Sequence, residues 1–353
     1  MRTETLIIGA GLSGLYLATQ LAAQGRDFLL VEARDRTGGR ILTERQGDGY
    51  FDLGPAWFWP GQPRIAALID QLGLDWFEQY SEGALSFEDQ TGRVERGRGF
   101  ASMQGSYRLK GGLGALTEAL AASLPKGRLY LCTPIETLKR TADGIIASTR
   151  SGQTFHAKQS VLALPPRVAS RIAFSPDLPQ ETRNAMTGIA TWMAGHAKAI
   201  ATYDTPFWRD AGLSGDAMSR RGPMVEIHDA SPQQGGPYAL FGFIGVPPQA
   251  RQDEQLLRQA VLDQLTRLFG PRAAEPKSLF IKDWAFDPYT STEADQQPLF
   301  SHPAYGLPHS MAHIWDGQLI FAGTEVASEF GGYVEGALEA AETALPRIAK
   351  EKV

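Results

Sequence analysis

Short apolar runs alternate with stretches of helical spacing along this chain. Residues 5–8 form an uninterrupted apolar run, the pattern of a strand buried on both faces. Residues 12–23 repeat apolar positions at helical intervals, and Gly25 stands where a helix C-cap belongs. Residues 28–31 give a second buried strand that ends at Glu32. An amphipathic helix is predicted at 65–72 after the turn at Gly54 and Pro55, and another at 115–123 after three glycines. Residues 80–110 are Gly-rich, polar and weakly patterned, so they read as an excursion. Strands are predicted at 129–138, 144–149 and 154–164, ended by Pro165 and Pro166. From 192 to 284 the texture changes to alternating strands around one helical stretch at 254–268. Residues 287–313 contain four prolines and no period, which marks loop. A last buried strand at 319–322 and a last helix at 331–349 complete the pattern. The expected fold class is α/β.

The opening unit is more specific than its elements. Gly9, Gly11 and Gly14 follow the first strand in G-x-G-x-x-G spacing, and Glu32 ends the second strand about 20 positions on. Gly9 permits a tight turn, Gly11 admits a pyrophosphate to the backbone, and Gly14 lets helix and strand pack closely. The helix N-terminus offers partial positive charge to phosphates. Glu32 can accept from both hydroxyls of a ribose and would repel a 2′-phosphate. Farther on, Gly38 and Gly39 allow close backbone approach, and Arg40 can pair with a diphosphate oxygen.

Composition changes this picture little. The 353 residues predict two domains, and 43% hydrophobic with 21% charged residues is ordinary for a globular enzyme. A net charge of −5 argues against nucleic acid as a partner, and Arg93, Arg96 and Arg98 read as a solvated loop face. Cys132 is the sole cysteine, which excludes an intrachain disulfide, and its apolar surroundings predict a buried thiol. No apolar run reaches the roughly 18 residues that cross a membrane. The first strand begins close to Met1, which leaves no room for a signal peptide, and a cytoplasmic location is expected. His302, His309 and His313 lack thiolate or carboxylate partners at ligand spacing, so no metal site is expected.

Several segments together resemble the flavin-containing amine oxidase family, which includes monoamine and polyamine oxidases. They are GAGLSG with Glu32, the GGR of 38–40, DLGPAWFWPGQPRI, GGLGALTEAL, VLALPPRVASRIAFSPDLP and, most specifically, FAGTEVASEFGGYVEGALEAAE. The resemblance covers most of the chain. It implies a Rossmann-like, GR2-type FAD-binding domain made of 1–80, 108–189 and 286–353, with a smaller α+β substrate domain from 81–107 and 190–285. It also implies non-covalent FAD, because the cysteine that some members use for attachment is missing. The implied cofactor-binding residues are Gly9, Gly11, Gly14, Glu32, Ala33, Arg34, Gly39, Arg40, Gly54, Pro55, Ala56, Ile135, Trp284, Gly323, Glu325, Gly332, Tyr333, Val334 and Ala337. Lys198 matches the family lysine beside flavin N5, and Tyr333 matches one of two rings that sandwich the substrate, so both are the implied catalytic residues. Trp57 and Phe58 are expected to line the substrate cavity. Glu329 is expected to face solvent.

The implied activity is an FAD-dependent oxidation of a small-molecule amine or amino acid. A hydride equivalent passes from the C–H bond α to nitrogen to flavin, water hydrolyses the imine, and O2 becomes hydrogen peroxide. Two departures stand out. No second aromatic ring occurs at 293–296, and 80–110 is shorter than the helical insertion that roofs the cavity in typical members. A desaturase or dehydrogenase acting on a non-amine, or a flavin protein active only with a partner, shares the same cofactor motifs. Renalase-like enzymes fit less well, because they lack the Gly-Tyr-x-Glu-Gly-Ala ending at 332–337.

Overall fold

The computed structural model describes residues 1–97, 99, 101–297, 299 and 301–348. Two sheets dominate it. The first has eight strands, and its centre is parallel: Thr154–Leu162, Arg2–Ile8, Phe28–Val31 and Leu129–Tyr130 lie side by side in that order. Leu319–Phe321 adds to Thr154–Leu162 in parallel, while Ile135–Thr141 and Gly144–Thr149 join it as an antiparallel meander. Ala173–Ser175 closes that edge. The central strands are buried on both faces, which is why they read as unbroken apolar runs.

Three helices cover one face. Leu12–Ala23, Gly114–Ser123 and Val334–Ala344 share a core that includes Leu15, Leu21, Leu116, Leu120, Leu338 and Ala341. Gly14 makes the closest approach possible: a Cβ there would stand 1.9 Å from the carbonyl oxygen of Gly9. Gly9 itself has φ +105°, a conformation open to glycine.

The second sheet has seven strands in the order Ser278–Asp283, Ala197–Tyr203, Tyr238–Ile244, Met224–Asp229, Leu213–Ser219, Ala84–Glu88 and Val94–Gly97. One face packs against the helix Glu254–Phe269 through Leu257, Val261, Leu265 and Leu268. Asp253 caps that helix, accepting from the N–H groups of Gln255 and Leu256. The other face turns Lys198, Phe241 and Phe243 toward Gly54 and Trp57.

Four sequence expectations change. The run at 129–138 is two strands, broken where Cys132 takes φ +52°. That turn leaves the thiol exposed rather than buried. The weakly patterned excursion at 80–110 contains Ala84–Glu88 and Val94–Gly97, which extend the second sheet, and Tyr107–Leu109, which pairs with Trp76–Glu78. The last helix begins at Val334, after Gly332 and Tyr333, and its expected end at Ala349 lies outside the described residues, as does Arg98.

Two carboxylates on the last helix organise its surroundings. Glu335, fully buried, accepts from the backbone N–H groups of Arg64 at 3.0 Å and Ile65 at 2.9 Å. It thereby caps the helix Pro63–Gln71, whose own N-cap Gln62 makes no capping bond. Glu339 accepts from the N–H groups of Ser328, Glu329 and Phe330 at 2.7–3.0 Å. Burial acts to raise its pKa, but these three donors prevail and hold it below the usual carboxylate range. Replacing Glu335 by Ala leaves a buried and a half-buried N–H group without an acceptor and should lower stability by about 2 kcal/mol, the scale of a charge-assisted hydrogen bond. Urea unfolding of Glu335→Ala should show a lower midpoint at unchanged slope.

Candidate active site

A cavity of about 1080 Å3 opens between the two sheets. Gly9, Gly11, Glu32, Ala33 and Arg34 line it at the carboxyl ends of the parallel strands, where open α/β sheets place their ligands. Gly38, Gly39, Arg40, Gly323 and Thr324 continue the wall. Gly54, Pro55, Ala56, Trp57, Lys198, Phe243, Trp284, Gly332, Tyr333, Val334 and Ala337 bring it to the second sheet.

The turn after the first strand is shaped by absent side chains. Gly11 faces Gly39, so a Cβ on Gly11 would sit 3.9 Å from the Gly39 Cα. Nothing closer meets it, and any larger side chain would enter the cavity. Glu32 is 4% exposed, and its carboxylate is pinned by the N–H groups of Ala10 at 2.7 Å and Arg34 at 3.0 Å. A carboxylate oxygen accepts more than one bond, so Glu32 keeps capacity for a ligand hydroxyl. Arg34 is held by Asp287 at 2.5 Å and Thr290 at 3.0 Å. Ile135 lines the same region from the strand after the Cys132 turn.

Arg40 pairs with Glu325 at 2.6 Å. Glu325 is fully buried, and its Oε2 has no partner. Such an orphaned oxygen costs free energy until a donor reaches it. Glu325 does not itself line the cavity and acts on it through Arg40. Glu329 is exposed, with its N–H given to Glu339. Gly14 does not line the cavity either: its place is the contact with Gly9.

Lys198 is 5% exposed and donates from Nζ to the Gly54 carbonyl. Its ammonium lies 5.3 Å from the Phe243 ring centre and 5.7 Å from that of Phe241. Burial lowers its pKa to about 8, against the opposing pull of Asp52. Asp52 caps the helix Gly114–Ser123 by accepting from the Leu113 N–H at 3.1 Å, and burial raises its pKa to about 6. Trp284 donates to the Leu53 carbonyl at 2.9 Å, next to the segment that Lys198 holds.

Trp57 points its ring at Phe241, 5.2 Å away, and its Nε1 to Gln79 at 2.7 Å. Phe58 does not line the cavity. Successive side chains of an extended segment face opposite ways, so Phe58 turns to Tyr107 and the helical core. Trp59 returns to the cavity and meets Tyr333 edge-on at 6.3 Å. Sequence reasoning also missed Met103, Trp192, Met193 and Phe243. Trp192 lies in a loop without period, whereas Trp59 was available from alternation. No aromatic stands at Glu293–Gln296, a 3-10 turn whose Asp295 binds Arg167. His302 instead stacks on Tyr333 at 5.0 Å and 16°. Behind Trp57, buried His228 bridges Asp216 at 2.7 Å and Glu226 at 2.9 Å. Burial opposes its charge, yet the two carboxylates prevail and raise its pKa.

The family model described as "Flavin containing amine oxidoreductase" matches residues 12–100 and 98–345. The chain belongs to this family. A Dictyostelium discoideum protein named "Probable flavin-containing monoamine oxidase A" is 25% identical, with 95% of each chain covered. "Putrescine oxidase" of Kocuria rosea is 24% identical over 98% of this chain and 95% of that one. Among solved structures, wild-type putrescine oxidase bound to putrescine superposes with TM-score 0.84 at 22% identity, covering 99% of this chain and 100% of that one. Cyclohexylamine oxidase from Brevibacterium oxydans IH-35A gives 0.81 at 21%, with 98% of each covered. The Dictyostelium alignment runs over 443 positions against 353 residues here, so at least 90 of its positions have no counterpart in this chain.

Two outcomes are expected. Glu32→Arg should abolish saturable FAD binding to the apoprotein, read by quenching of flavin fluorescence, because it removes the acceptor and fills that end of the cavity with a cation. Native Lys198 loses its proton near pH 8, whereas unfolded lysine keeps it to about 10.5. Between those values the unfolded chain binds more protons, so this residue makes apoprotein stability rise with pH, by at most about 1.4 kcal/mol per unit. Lys198→Met should remove that slope in denaturant titrations across the range.

Proposed function

We propose that this flavoprotein is an FAD-dependent oxidase of small-molecule amines, using O2 as electron acceptor. The observation that carries the reading is one continuous cavity. It joins a glycine cradle of dinucleotide type to an aromatic chamber containing a buried lysine. The cradle suits FAD: Gly11 and Gly39 leave room for a diphosphate, Glu32 offers acceptors to a ribose, and Arg40 supplies positive charge. Bound there, FAD supplies the two-electron acceptor for the C–H bond next to the amine nitrogen; the imine so formed is hydrolysed by water, and O2 is reduced to H2O2.

The protein's own contribution is placement and electrostatics. Trp57, Trp59 and Tyr333 supply apolar walls that hold the substrate and exclude water. Lys198, anchored on the Gly54 carbonyl, supplies a cation that becomes a neutral amine near pH 8, so it can position a water or exchange a proton. Tyr333 precedes the N-terminus of Val334–Ala344, whose free N–H groups favour negative charge in front of them. The two sheets suggest the division stated above: the first with 1–80, 108–189 and 286–353 for FAD, the second with 81–107 and 190–285 for substrate. Among the described residues no helix is long and apolar enough to cross a membrane. A cytoplasmic location is proposed, supported by the single, exposed cysteine, which suits a reducing compartment.

Acid precipitation of the holoprotein should release yellow flavin into the supernatant; flavin retained in the pellet would contradict non-covalent binding. Lys198→Met should keep its flavin but slow flavin reduction or reoxidation at least tenfold, which corresponds to about 1.4 kcal/mol of barrier. Stopped-flow traces of both half-reactions check this, and unchanged rates would remove Lys198 from the chemistry.

A further inference from the structure

The walls of the cavity differ in charge from one side to the other. On the second-sheet side the lining includes Trp57, Trp59, Met103, Trp192, Phe243 and Tyr333, with Lys198 as the basic group among them. The carboxylates that line the cavity, among the described residues, are Glu32 and Glu136. Both stand on the first-sheet side, at the ends of Phe28–Val31 and Ile135–Thr141, where Arg34 and Arg150 accompany them.

The acidic groups behind the aromatic side are already committed. Glu226 accepts from His228 at 2.9 Å and from the Ser102 hydroxyl. Asp52 is 4% exposed and caps a helix. Neither lines the cavity. The face of Phe243 is occupied by the Lys198 ammonium at 5.3 Å.

We propose that this cavity selects amines with a single positive charge and an apolar, ring-sized body, and that it rejects diamines and polyamines. The inference rests on the amine-oxidase reading above and narrows it. An apolar body gains by leaving water for tryptophan, phenylalanine and methionine surfaces. A second ammonium in the same place would lose its hydration, meet no carboxylate among the described residues and face the charge of Lys198. The likeness to putrescine oxidase in fold therefore does not extend to its substrate, because fold and site chemistry are separable.

Anaerobic stopped-flow reduction of the holoprotein by 2-phenylethylamine, tryptamine, putrescine and spermidine, at one pH and ionic strength, tests this. The better arylalkylamine should reduce the flavin at least a hundredfold more efficiently than either polyamine. Putrescine or spermidine within tenfold of it would overturn the proposal. If dithionite bleaches the flavin and no amine of either class does, the amine-oxidase reading itself fails, which is a separate and visible result. A second measurement needs no turnover. α,α-Dimethylphenethylamine has no α C–H bond and cannot be oxidised, so calorimetry gives its affinity for the oxidised holoprotein. Trp59→Ala, checked for full flavin content, should weaken that affinity at least fivefold, and an unchanged value would count against the aromatic chamber.

Discussion

The contact between the helix Leu12–Ala23 and the turn at Gly9 is the constraint on which the rest of the structure depends. It has no tolerance: a methyl group at Gly14 would collide with the Gly9 carbonyl, and one at Gly9 with the carbonyl of Ala163 at 2.7 Å. Because helix and strand touch at backbone distance, the helix N-terminus is aimed into the cavity instead of standing off from it. The same helix carries Leu15 and Leu21 into the core shared with Val334–Ala344. One close approach thus fixes both the nucleotide cradle and the helix that brings Tyr333 to the opposite wall.

Carboxylates then tie loops to helices. Glu335 reaches the start of Pro63–Gln71, Glu339 gathers three N–H groups of the loop before Tyr333, and Asp52 caps Gly114–Ser123. All three are almost completely buried, and each accepts from backbone donors that helix ends or loops would otherwise leave unpaired. The wall bearing Trp57 and Trp59 is positioned this way, because the helix that Glu335 caps follows directly after Gln62. Gln62 itself turns back to accept from the Trp59 N–H at 3.1 Å. Loss of one such acceptor would be felt at the cavity as well as in stability.

Elements with strong periodicity or glycine signatures were legible in the sequence. The first strand–helix–strand unit, the strands at 144–149 and 154–162 and the helix at 254–269 all stand within a few residues of their expected places. What escaped was set by tertiary context. Ala84–Glu88 and Val94–Gly97 lie at the edge of a sheet whose partner strand, Leu213–Ser219, is more than 100 residues away in sequence. They are only five and four residues long and sit within a polar, glycine-rich stretch, so the local strand signal is weak. The thiol of Cys132 is exposed because a positive-φ turn interrupts what reads as one apolar run. In the site, the glycines, Glu32, Arg40 and Lys198 came from motifs. Phe58 was assigned to the wrong face although alternation already separated it from Trp57 and Trp59. The parallel stack of His302 on Tyr333 could not be read at all, since the two stand 31 positions apart with a strand and several short helical turns between them.

The electrostatics of the chamber follow from its burial. Asp52 and Lys198 are shifted toward neutrality from opposite directions, one up to about 6 and the other down to about 8. Desolvation is the leading cause for both, and their mutual attraction only partly offsets it. His228 goes the other way because it has two carboxylates in direct contact, at 2.7 and 2.9 Å. Charge is therefore stabilised behind the Trp57 ring, where it is paired, and suppressed where Lys198 faces the cavity. Among the described residues, the aromatic side of the chamber presents one charge to what enters it, the Lys198 ammonium, which burial makes easier to discharge. Selection then falls to shape and apolar surface, and to one lysine whose proton is held loosely enough to move near neutral pH.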